Sequence, residues 1–84
     1  MAPKEILEAL QTRPFEPIRI CMTDGQAFDL YHPEMCMVGH RVVILGVTKQ
    51  PTDLLFDRTI KLDPLHIVRL EPLAAGSPKN GPQS

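Results

Sequence analysis

His32, Pro33 and Glu34 place an imidazole and a carboxylate on either side of a proline, with Asp29 three residues before the histidine. An imidazole beside carboxylates has the makings of a general base, or of half a metal site. Completing either takes a nucleophile or further ligands at recognised spacing, and no second cluster supplies them. The bland reading is a structural corner, in which Pro33 denies the ladder a donor and His32 or Glu34 bonds local backbone groups. We adopt the corner. Cys21 and Cys36, with His32, His40 and His66, are the remaining candidate zinc ligands, but no CxxC, CxH or HxxxH spacing links them. No metal, no cofactor and no catalytic residue is expected. Each cysteine sits in an apolar or alternating stretch and reads as a small hydrophobe of a reducing compartment.

The basic side chains offer a different chemistry. Arg19, Arg58, Lys61 and Arg69 fall in strand-like stretches, and Arg13, Arg41 and Lys49 near their ends. Clustered, they would form a modest footprint for an anion. Interleaved with Asp24, Asp29, Asp53, Asp57, Asp63 and Glu71, they read as solvated faces with cross-strand ion pairs. Arg58, Lys61, Arg69 and His66, with His32 and Glu34 at the corner, are the candidate interaction residues. Met22, Met35, Met37 and Cys36 form a soft apolar group that suits gap-filling core, with Met35 or Met37 at a subunit interface as the sharper alternative.

The elements that must carry these residues are legible in the periodicity. The run FEPIRICMTDGQAFDLY, residues 15–31, alternates Ile18, Ile20 and Met22 with Arg19, Cys21 and Thr23, then Phe28 and Leu30 with Ala27, Asp29 and Tyr31. Asp24-Gly25 between the two halves predicts a hairpin with a type I′ turn. Before it, Lys4 to Thr12 reads as a short helix with Pro3 in its first turn, Ile6, Leu7 and Leu10 on one face, and Pro14 ending it. Phe15, between Pro14 and Pro17, is expected to plug one end of the core. Met35 to Val38 predicts a short strand. Arg41 to Val47 (RVVILGV) predicts a central strand, with Gly46 at a bulge or tight bend. Leu54 to Leu62 returns to alternation, with Phe56, Ile60 and Leu62 on one side and Arg58 anomalous among them. Asp63-Pro64-Leu65 predicts one turn of 3₁₀ helix, and His66 to Leu70 the last strand. Residues 74–84 (AAGSPKNGPQS) carry no large apolar residue and predict a disordered tail.

Composition bounds the function. Eighty-four residues make a single small domain with a formal net charge of −1. A domain of this size buries only ~60% of the surface its unfolded chain exposes, so association would help it. No basic surplus announces nucleic acid, and three Phe, one Tyr and no Trp leave few platforms for bases. The start of the chain lacks the apolar core of a signal peptide, and no apolar run approaches spanning length. The expectation is a cytoplasmic protein with no membrane partner.

Three ordered motifs carry a resemblance over roughly residues 4–73. PFEPIRICMTDG at 14–25, HPE at 32–34 and LHIVRLEP at 65–72 resemble a group of small uncharacterised bacterial proteins with the pattern PF-x-PF-x-I-x-x-x-DG, then H-P-E, then L-x-H-I-x-R-I-E-P. At the level of architecture, the order of elements is similar to the Sm-like barrel of Hfq-type RNA chaperones. That likeness implies rings built by pairing edge strands, with RNA held by a basic, histidine-containing loop before the last strand. Here that loop is Asp63-Pro64-Leu65, acidic, rigid and apolar.

The expected fold is mainly β, a small five-stranded antiparallel SH3/Sm-like barrel over residues 1–73 with an N-terminal α-helix. The expected function is a non-catalytic binding or assembly module acting by self-association through edge strands. An Sm-like RNA-binding ring is the alternative, and a minimal enzyme or metal protein at the His32 corner the third reading.

Overall fold

The computed structural model describes residues 1–50 and 53–73; the expected disordered tail lies outside them. Helix α1 spans Pro3–Gln11. Pro3 fits the first turn, where its missing N–H costs nothing, and the Glu5 carboxylate accepts the Ala2 N–H at 3.2 Å. At the other end Arg13 Nη1 donates to the Leu10 and Thr12 carbonyls, at 2.7 and 2.9 Å. Those donations satisfy carbonyls that a helix terminus leaves open. The helix buries Ile6 and Leu10 and packs against β3, Cys36–Val38.

The strands form two three-stranded antiparallel sheets. In the first, β1 (Ile18–Met22) lies between β2 (Ala27–Leu30) and β6 (Ile67–Pro72). In the second, β4 (Val43–Val47) lies between β3 and β5 (Arg58–Leu62). The mainly β architecture with one N-terminal helix stands, whereas the closed five-stranded barrel does not. A 3₁₀ turn at Pro33–Met35 separates β2 from β3, so the path that would carry one continuous ladder around a barrel is interrupted. Proline at the start of that turn has no N–H to give a ladder. A second 3₁₀ turn, Pro64–His66, precedes β6, as the Asp-Pro-Leu sequence predicts. The Asp63 carboxylate accepts the Leu65 N–H at 2.9 Å and fixes it.

Ile18, Ile20 and Leu30 from the first sheet meet Cys36, Val43, Leu45 and Leu62 from the second and Met35 from the 3₁₀ turn before it, with Ile6, Leu10 and Ile67 closing the core. Phe15 is partly buried and packs against this cluster. Both cysteines are buried and unpaired.

Three local expectations are corrected. The β1–β2 turn is not type I′: among the described residues no non-glycine has positive φ, and Gly25 alone does, at 89°. Gly25 N–H donates to Met22 O at 3.1 Å, Met22 N–H to Gln26 O at 2.8 Å, and Asp24 Oδ1 accepts the Gln26 N–H at 2.9 Å. This is the three-residue loop, in which the aspartate turns the backbone through its side chain while only glycine enters the left-handed region. Next, the strand predicted from Leu54 begins only at Arg58. Asp53 accepts the Leu55 N–H at 3.0 Å, and such a local bond competes with the ladder. Phe56 is consequently half exposed rather than in the core. Finally, the β4–β5 register is regular at Gly46, which faces Thr59, and the irregularity falls one residue on, where Asp57 and Arg58 both meet Val47. A side chain on Gly46 would begin 3.1 Å from both Met35 Sδ and Phe56 Cβ. Its absence lets Phe56 lean across β4.

Candidate interaction surface

The outer edge of β5 is built from the residues that the predicted alternation left unexplained. Among the described residues β5 pairs with β4 alone, leaving its other side open. Just before the strand, Asp57 N–H donates to Val47 O at 2.8 Å, so Asp57 and Arg58 both meet Val47 and the regular ladder ends there. Along the strand, Leu62 is buried and Ile60 partly so, while Arg58, Thr59 and Lys61 are exposed. Immediately before it, Leu54, Leu55 and Phe56 are exposed by 62%, 78% and 56%. Three consecutive large apolar side chains in water, at an unpaired strand edge, are what an interaction surface looks like. Among the described residues, neither Arg58 nor Lys61 has a carboxylate partner, and Asp57 has no cation.

The other predicted interaction residues lie elsewhere. Arg69, on β6, is tied to Glu71 two residues on; the bond and the adjacent charge hold its guanidinium above the usual range. His66 closes the second 3₁₀ turn, its carbonyl accepting the Thr23 N–H at 2.8 Å and its Nδ1 lying 3.4 Å from Thr23 Oγ1. That histidine staples the β1–β2 loop to β6. The loop before β6, where the Sm-like resemblance implies basic residues, instead spends its Asp63 carboxylate on its own backbone. Arg58 and Lys61 therefore share an edge of one sheet, and Arg69 belongs to the other.

His32 and Glu34 flank the start of the first 3₁₀ turn. His32 lines a cleft of about 460 Å³ together with Arg19, Asp29, Tyr31 and Lys49, a volume within the small-molecule range. Asp29, the nearest carboxylate in sequence, is occupied: Arg19 Nε donates to its Oδ1 at 2.8 Å and Nη2 to its Oδ2 at 3.4 Å. That hydrogen bond, reinforced by the opposite charge, raises the Arg19 pKa. Burial pushes the Cys36 thiol up to about 11 and, less strongly, raises that of Cys21. Neither thiol is thereby primed as a nucleophile. Among the described residues no group of three or more His, Cys, Asp or Glu side chains gathers where it could hold a metal ion. No helix among them is long and apolar enough to cross a membrane.

Sequence reasoning singled out Arg58 and Lys61 and missed Leu54 and Leu55. The available signal was the run Leu54-Leu55-Phe56 directly after a Thr-Asp pair, which an aspartate-led turn would expose. Set against known proteins, the chain matches no protein-family model, and neither curated proteins nor solved structures provide a match.

Proposed function

We propose that the protein is a small cytoplasmic binding module, without catalytic activity, that works by self-association through an edge strand. The observation that carries this reading is the exposed run Leu54–Phe56 beside the unpaired edge of β5. Apolar area left in water beside open backbone donors and acceptors is relieved when a second chain covers both. A thin core gains from such cover more than a large one would.

Sedimentation velocity at micromolar concentrations tests it. The expected result is a species heavier than the 9.4 kDa chain. Leu55→Glu should return it to monomer with its circular dichroism spectrum unchanged, because Leu55 is 78% exposed and lies outside the core. A single 9.4 kDa boundary throughout the range would overturn the proposal.

A second reading, an Sm-like RNA-binding ring, is favoured by Arg58 and Lys61 standing without carboxylate partners among the described residues. Its signature is RNA affinity that falls steeply with salt, as counterion release requires. Salt-independent retention, or no RNA retention at all, would remove it.

A further inference from the structure

Among the described residues β2 pairs with β1 alone, so its other side is open. The register shows which backbone groups lie there. Met22 N–H donates to Gln26 O at 2.8 Å, and along the ladder from that pair every second residue is hydrogen-bonded across it. Phe28 and Leu30 therefore turn their N–H and C=O towards Ile20 and Ile18. The far side of β1 agrees: Leu73 N–H donates to Pro17 O at 2.9 Å, so Arg19 and Cys21 bond Glu71 and Arg69 of β6. Ala27 and Asp29, between the bonded residues of β2, turn theirs outward. This edge lines the cleft of about 460 Å³. The far wall is the end of β4: β3 reaches along it only to Leu45, opposite Cys36, and Gly46 and Val47 run on past. Phe28, Met35 and Leu45 give the cleft an apolar lining continuous with the core. The fixed charges around it balance, Arg19 and Lys49 against Asp29 and Asp53. A balanced cleft draws neither a phosphate nor a nucleic acid. Outward backbone donors and acceptors beside an apolar wall suit an uncharged, extended main chain.

We infer that the open edge of β2 is a peptide-binding edge, where an uncharged, extended segment of another protein adds as a fourth strand. Its main chain bonds the outward groups of Ala27 and Asp29, and its alternate side chains, which must be apolar, enter the cleft beside Phe28 and Met35. The main-chain bonds give affinity and the cleft gives selectivity. This edge belongs to the first sheet and the edge of β5 to the second, so the inference stands independently of self-association through β5.

The probes are end-blocked heptapeptides alternating threonine with valine, leucine or phenylalanine, titrated into isotope-labelled protein and followed by NMR. A peptide that binds should slow amide exchange at Ala27 and Asp29 about tenfold or more, while Phe28 and Leu30, already bonded to β1, change little. Ala27→Pro removes one outward N–H and spares the β1 ladder, since an edge strand accepts proline where its N–H would face solvent. It should weaken the same peptide about tenfold, the worth of a good hydrogen bond, with an unchanged circular dichroism spectrum. Methylating alternate peptide nitrogens tests the same bonds without altering the protein: binding should be lost in one frame and kept in the other. Failure of every peptide to bind at millimolar concentration would overturn the inference. Binding that leaves exchange at Ala27 and Asp29 untouched would overturn it too, because the cleft would then hold side chains without an added strand. Equal affinity for both methylation frames would do the same. If Ala27→Pro instead reduces self-association of the protein alone, the edge belongs to a second copy and the peptide role falls.

Discussion

Gly25 sits at φ 89°, with nothing within 4 Å of where a side chain would start. Space does not forbid a substitution there; the backbone does, because a β-branched residue at positive φ is strained. Gly25→Val should cost about 1–3 kcal/mol, read from urea unfolding. An unchanged midpoint would contradict the left-handed conformation. Cys36 makes a second prediction at this scale. Its thiol is pushed to about 11 by burial, from an ordinary value of 9.0. Above pH 9 the unfolded chain gives up this proton while the folded one keeps it. Stability from this group is therefore fully present below pH 9 and is lost as pH rises towards 11. Cys36→Ala should flatten that part of the stability profile relative to wild type. Equal slopes for the two proteins would show that the thiol does not titrate differently on folding.

At the scale of elements, α1 is held by two side chains, Ile6 and Leu10, both in the core. At nine residues it is too short to persist unaided. Leu10→Ala should therefore cost about 2–5 kcal/mol, measured by chemical unfolding. A loss below 1 kcal/mol (roughly that of a surface change) would mean that the helix is not docked as described. The Arg19–Asp29 pair, across β1 and β2 with both side chains 34% exposed, should matter far less. Arg19→Ala is expected to cost about 0.2–1 kcal/mol, and less at high salt. Elements with their own periodicity were the legible ones: the helix with Pro3 at its start, the alternation of β1 and β2, the Asp-Pro-Leu turn before β6. What could not be read was decided by competition. Asp53 takes the Leu55 N–H, and so stops a strand that alternation alone extends back to Leu54. Asp24 bonds Gln26 and leaves positive φ to Gly25, where the Asp-Gly pair by itself indicates both residues.

At the scale of the molecule, the described residues sort six strands into two sheets, with a 3₁₀ turn begun by Pro33 between β2 and β3. The His32-Pro33-Glu34 corner is visible in the sequence; its power to divide the strands is not, since that depends on which distant strands claim each edge. The interaction surface was half legible. Arg58 and Lys61 stand out in the sequence, whereas the exposure of Leu54 and Leu55 follows from the turn that Asp53 sets. That β1 lies in the middle of its sheet has a consequence for synthesis. Its neighbour on one side, β2, is the next strand made, but its neighbour on the other, β6, is the last, with Ile18 facing Pro72. A nascent chain must carry one flank of β1 uncovered until nearly the whole described domain has left the ribosome. Contacts between such distant partners close slowly, because the loop entropy is spent before they form. In that interval the growing chain resembles an edge strand more than a central one, and the interval ends only when β6 arrives.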